Sequence, residues 1–119
     1  MPKRPFGDAL RDATDGVVRT FREQTNFRIQ VLIGAVAIAL AALARFASWR
    51  WTVLLLTIGI VLGAELFNTA LERAVDLASP EHQAPAQAAK HAAAGAVLMV
   101  SLAAVAVGLW LFGGALLHI

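Results

Sequence analysis

No cysteine and no tyrosine occurs among the 119 residues, and only 15% are charged. The missing cysteine excludes a disulfide scaffold, a Cys-ligated zinc or iron–sulfur site and a cysteine nucleophile. There is no GxxxxGK[ST] phosphate loop, no kinase-type glycine loop and no dinucleotide fingerprint. Any nucleotide chemistry must therefore use an unrelated scaffold. Internal repeats and low-complexity linkers are absent too. What remains is apolar: 59% of the residues are hydrophobic, against roughly 45–50% in an ordinary soluble chain. A chain this short buries only about two-thirds of the surface that its unfolded form exposes. The surplus apolar surface points to one small membrane domain spanning 1–119.

The few charges are unevenly placed. Residues 1–28 hold Lys3, Arg4, Arg11, Arg19, Arg22 and Arg28, interleaved with Asp8, Asp12, Asp15 and Glu23. Phe6, Leu10, Ala13, Val17 and Phe21 recur in steps of three and four, one stripe of a helix. This pattern predicts an amphipathic helix over about 6–22, lying on a membrane surface. The segment is too long and too acidic for a signal peptide. Three spans are expected at about 28–47, 51–72 and 92–117, from runs free of charge over Ile29–Ala44, Trp51–Ala64 and Ala92–Leu117. Ala47-Ser48-Trp49-Arg50-Trp51 reads as an interfacial turn with aromatics at headgroup depth, and residues 79–90, with Pro80 and Pro85, as a polar loop. The fold class is thus all-α: a surface helix and three transmembrane helices.

With the N-terminus in the cytoplasm, the inner side carries the six basic residues of 1–28 plus Arg73 and Lys90, and the outer side only Arg45 and Arg50. The positive-inside bias supports that orientation, with the C-terminus outside. The net charge of +2 then reflects topology, and nucleic acid is not expected as a partner.

One cluster carries chemistry. Glu65, Asn68, Glu72 and Asp76 are offset by 3, 7 and 11 residues, which places them within about 80° of one another on one helix face at roughly 100° per residue. Glu65 lies a turn inside the inner boundary, where an ionised acid costs several kcal/mol, and such a residue is by default a functional hypothesis. One carboxylate can take a proton from a hydroxyl, and a second can hold Mg²⁺ against nucleotide phosphates. Lys90 can place a positive charge on those phosphates. The competing reading is a polar face that holds helices together in an oligomer; small residues along the third span, such as Ala103, Ala104, Ala106 and Gly108, suit both.

Glu65-Leu66-Phe67-Asn68-Thr69-Ala70-Leu71-Glu72, followed by Ala74-Val75-Asp76, resembles the signature of the small prokaryotic diacylglycerol kinase and undecaprenol kinase family. Asn26-Phe27-Arg28-Ile29-Gln30 resembles that family's block at the start of the first span. Ala89-Lys90-His91 with Ala94-Gly95-Ala96-Val97-Leu98 resembles the block that opens the third. The resemblance covers roughly residues 11–115. It implies a homotrimer in the bacterial inner membrane, with active sites shared between protomers, that transfers the γ-phosphate of MgATP to a lipid hydroxyl at the cytoplasmic interface. Matched by motif position, Glu65 would be the catalytic base, Asn68 would position the reacting groups, Glu72 would hold the metal, and Lys90 and Glu81 would meet the nucleotide.

Two positions depart from the family pattern. Gln24 stands where a second metal-binding Glu is usual, and His91 where Asp usually follows the lysine. Gln24 can offer Mg²⁺ a carbonyl oxygen but no charge, and Glu23 beside it points about 100° away on a helix. His91, placed with Lys90 at the nucleotide, cannot act as an acceptor-only carboxylate. These departures leave open a weak or inactive relative that binds lipid or a partner. In spelling, the blocks stand nearer the undecaprenol kinase branch; diacylglycerol and undecaprenol both present a primary hydroxyl.

Overall fold

The computed structural model describes residues 4–119, which form helices α1 (Phe6–Glu23), α2 (Thr25–Leu43), α3 (Ser48–Ala78) and α4 (Ala84–Leu116). Lys3 lies outside the described residues. α2, α3 and α4 are each long and apolar enough to cross a membrane. At about 1.5 Å per residue, the 19 residues of α2 match a hydrocarbon core of about 30 Å. The 31 of α3 and 33 of α4 exceed it by roughly half, so both must stand out of such a layer.

α1 and α2 are separated by a single extended residue, Gln24 (φ −114°, ψ 111°). The sharp corner would leave carbonyls unpaired at the end of α1. Arg28 answers this by donating from Nη1 to Phe21 O (2.9 Å) and Arg22 O (2.8 Å), and from Nη2 to Thr25 Oγ1 (3.0 Å). The Arg28 guanidinium thus ties the elbow. Phe6, Leu10, Val17 and Phe21 of α1 remain exposed.

α2 closes in a Schellman motif. Phe46 N donates to Ala41 O and Arg45 N to Ala42 O, with Arg45 left-handed at φ 54°. This turn occupies Ala44–Ala47, whereas Ser48–Trp51 already forms the first turn of α3. The interfacial turn expected at 47–51 is therefore displaced towards the N-terminus. Likewise the polar loop expected over 79–90 shrinks to Ser79–Gln83, because α4 begins at Ala84. Pro85 sits in the first turn of α4, where its missing N–H has no intrahelical partner to lose.

The three long helices run antiparallel in succession. Gly34 of α2 sits against Ile58 of α3, and a Cβ there would stand 3.1 Å from Ile58 Cγ2. The apolar core lies at one end, where Ala41, Phe46, Leu54 and Leu111 meet. Phe46 packs on Phe112 (centroids 4.8 Å apart) and edge-on to Trp51 (6.1 Å). Arg50 is buried beside them at 6% exposure. It donates to Leu111 O at 2.6 Å and to Ile119 O, with its guanidinium 4.5 Å from the Trp49 ring centroid. Most large apolar side chains of α2 and α4 are exposed, including Leu32, Ile33, Leu98, Met99 and Leu109.

Candidate functional site

The opposite end of the bundle carries the acids. Measured along α3 from Ser48 at about 1.5 Å per residue, Glu65 lies about 26 Å in, Glu72 about 36 Å and Asp76 about 42 Å. Glu65 is buried at 5% exposure, Asn68 and Glu72 are half-buried, and Asp76 is exposed. Glu65 and Glu72, seven residues apart, share a face about 10 Å apart along the axis.

The basic residues near this end are engaged elsewhere. Arg73 pairs with Glu23 of α1. Lys90 of α4 pairs with Asp76 at 2.9 Å, and His82 Nδ1 lies 4.0 Å from the same carboxylate. Among the described residues, no Lys, Arg or His lies within ion-pair distance of Glu65 or Glu72. Their neighbours are amides. Gln30 Nε2 approaches Glu65 Oε2 at 3.5 Å, and Asn68 Nδ2 approaches Glu72 Oε1 at 3.4 Å. Both contacts are long for hydrogen bonds. In each pair the amide oxygen, Gln30 Oε1 or Asn68 Oδ1, is buried without a hydrogen-bond partner. Two carboxylates and two orphaned carbonyl oxygens make a set of acceptors that lacks donors and cations.

This donor set fits a hard divalent cation. Mg²⁺ takes oxygen ligands and usually only one or two carboxylates, completing its shell with water and phosphate. Glu72 and the free Asn68 Oδ1 offer such oxygens. No group of three or more His, Cys, Asp and Glu is assembled within one chain among the described residues, so further ligands have to come from other residue types, substrate, water or a neighbouring chain.

Gln24 is half-buried at the α1–α2 elbow, and the Glu23–Arg73 pair brings that elbow beside α3 one residue from Glu72. Glu81 and His91 are exposed, on the α3–α4 linker and on α4. A cleft of about 470 Å³ between α1 and α3 is lined by Asp12, Gly16, Thr20, Leu66, Thr69 and Arg73, among others. It reaches the residues next to Glu65 and Asn68. Sequence reasoning did not place Gln30 in the site. The available signal was that it is the one polar residue in the run Ile29–Ala44, and polar groups at membrane depth tend to face functional partners.

Comparison with known proteins gives one consistent picture. Residues 11–112 match the family described as prokaryotic diacylglycerol kinase. The chain is 43% identical over 101 residues to a diacylglycerol kinase of Synechocystis sp., covering 84% of this chain and 58% of that protein. It is 34% identical over 107 residues to an undecaprenol kinase of Bacillus subtilis, covering 90% of this chain and 87% of that one. The chain thus spans well under two-thirds of the Synechocystis relative but most of the Bacillus relative.

Proposed function

Because the chain belongs to the prokaryotic diacylglycerol kinase family, we propose that it is an ATP-dependent lipid kinase, transferring the γ-phosphate of MgATP to the hydroxyl of a membrane lipid, diacylglycerol or undecaprenol. The observation that carries this reading is Glu65: a carboxylate buried on α3 about 26 Å from Ser48, with no basic partner among the described residues. With Ser48 at one boundary of a hydrocarbon core of about 30 Å, Glu65 stands just inside the other boundary and Glu72 beyond it. A lipid hydroxyl and a water-borne nucleotide can meet there.

In this reading Glu65 takes the hydroxyl proton, and Asn68 orients the reacting groups. Glu72, with the carbonyl oxygen of Gln24, would hold Mg²⁺, which would supply positive charge to offset that of the phosphates. Lys90, Glu81 and His91 meet the nucleotide, with Lys90 exchanging Asp76 for phosphate. The eight-to-two excess of basic residues supports a cytoplasmic N-terminus in the inner membrane. The exposed stripe Phe6, Leu10, Val17 and Phe21 supports α1 lying on the membrane surface. The apolar faces left exposed on α2 and α4 are available for the neighbours of a homotrimer with shared sites.

The test is phosphorylation by purified protein in lipid, given MgATP and each acceptor side by side. Phosphorylated lipid is the expected product. Glu65→Gln should lower kcat by about 10²–10⁴, the usual contribution of a general base, without unfolding the protein. Wild-type protein inert on both lipids, or a fully active Glu65→Gln variant, overturns the reading. A second reading, a weak or inactive relative that binds lipid or a partner, draws on Gln24 and His91; turnover by the wild type rejects it.

A further inference from the structure

Gln30 is the one side chain that reaches Glu65 from another helix by a described hydrogen bond. It comes from α2, and the close approach of Gly34 to Ile58 one turn further along fixes the register that brings it there. Its amide is half used: Nε2 faces Glu65 Oε2 at 3.5 Å, while Oε1 is buried with no donor. A buried acceptor left without a donor is unfavourable, and an ionised carboxylate has no donor to give it. A carboxylate only accepts hydrogen bonds. A protonated carboxyl group also donates one. A primary amide pairs with a carboxylic acid through two parallel bonds, N–H to the acid carbonyl and acid O–H to the amide carbonyl. Only the protonated form of Glu65 can satisfy both ends of Gln30.

We infer that Gln30 is a positioning residue of the phosphoryl transfer: its N–H orients the Glu65 carboxylate, and its orphaned Oε1 accepts a hydrogen bond from the Glu65 O–H once the acceptor hydroxyl has given up its proton. The inference rests on the lipid kinase reading and on Glu65 as its base. The lipid O–H proton moves to a Glu65 oxygen, and the lipid oxygen forms a bond to the γ-phosphorus. The bond from that phosphorus to the bridging oxygen breaks, its electron pair leaving with ADP, and the proton then passes from Glu65 to solvent. Gln30 touches neither lipid nor nucleotide in this scheme. It stabilises the product state of the base and frees the other carboxylate oxygen for the hydroxyl.

Gln30→Met keeps the length of the side chain and removes both polar ends. It should lower kcat by about 10–100-fold, the range for groups that orient another functional side chain, with KM for ATP and lipid changed less than about twofold. Gln30→Asn withdraws the amide by one methylene, keeps polarity in the helix interface, and should lose a comparable share of kcat; it serves if the Met variant does not fold. The decisive measurement is a double-mutant cycle with Glu65→Asp, whose shortened carboxylate already stands away from the amide. On that background Gln30→Met should cost no more than about twofold further. An amide that merely joined α2 to α3 would give losses that multiply, or a drop in thermal stability with kcat intact, and either result overturns the inference. Wild-type protein inert on both lipids overturns the kinase reading and the inference with it. An active wild type with an equally active Gln30→Met variant overturns the inference alone.

Discussion

Replacing Arg50 by Met should destabilise the protein strongly while leaving its chemistry intact. Arg50 is 6% exposed and donates to Leu111 O at 2.6 Å and to Ile119 O, with its guanidinium stacked near Trp49. Hydrogen bonds from a charged donor contribute about 1.5–3 kcal/mol each, and a desolvated cation–π contact up to about 2 kcal/mol. The hydrogen-bond figures are already net of desolvation, and the apolar contacts of the new side chain offset part of them. Met fills much of the vacated volume. The balance is a net loss of about 2–4 kcal/mol. Unfolding by SDS titration in mixed micelles reads that loss directly. Arg50→Lys should recover only part of it, since an ammonium lacks the planar fork that reaches two carbonyls. Arg50 and Glu65 are about 22 Å apart along α3, so kcat per folded molecule should remain within about twofold of wild type. A stability change below about 0.5 kcal/mol would refute the assignment of Arg50 as the link between α3 and α4. Lost turnover with unchanged stability would refute the separation of the two ends.

Gly114→Ala probes the same link from the other side. Its Cβ would stand 3.0 Å from both terminal guanidinium nitrogens of Arg50 and 3.3 Å from Ile119 O, so SDS titration should show a loss of about 1–3 kcal/mol that shrinks in the Arg50→Met background. Lys90→Met removes the half-exposed pair with Asp76 and should cost less than about 1 kcal/mol of stability; steady-state kinetics should show KM for ATP raised about tenfold, and an unchanged KM removes Lys90 from the nucleotide site. Gln24→Glu adds a carboxylate at the α1–α2 elbow and should lower the Mg²⁺ concentration for half-maximal rate several-fold; a Mg²⁺ titration that does not shift argues that this position is no metal ligand.

The three long helices were legible because apolar runs report directly on burial in lipid or protein. Their ends were less so. Residues 79–90 read as a loop because of Pro85, yet proline in the first helical turn starts a helix as readily as it breaks one. Trp49-Arg50-Trp51 read as an interfacial belt because that is the commonest use of such residues, whereas the carbonyls that hold Arg50 lie 61 and 69 positions away and leave no local trace. The spacing of Glu65, Asn68 and Glu72 needed only helical periodicity to be seen on one face. Gln30 escaped notice for the opposite reason: a single amide in a long apolar run carries no period, and its partner is 35 residues away.

The two ends of α3 treat buried polarity in opposite ways, and the difference supports the proposed place of the site. At one end a buried guanidinium finds two carbonyl acceptors and aromatic rings, so its charge is accommodated within the chain. At the other, among the described residues, a buried carboxylate finds one long amide contact and no cation, and two amide oxygens nearby find no donor. Burial of polar groups without partners is unfavourable, and the same chain shows that it can satisfy them. The deficit is also specific in sign: every unsatisfied group is an acceptor. What such a place attracts is a donor or a cation, and a lipid hydroxyl together with a magnesium-bound phosphate supplies both. An inert polar interface between helices would instead be expected to pair its donors and acceptors in equal number.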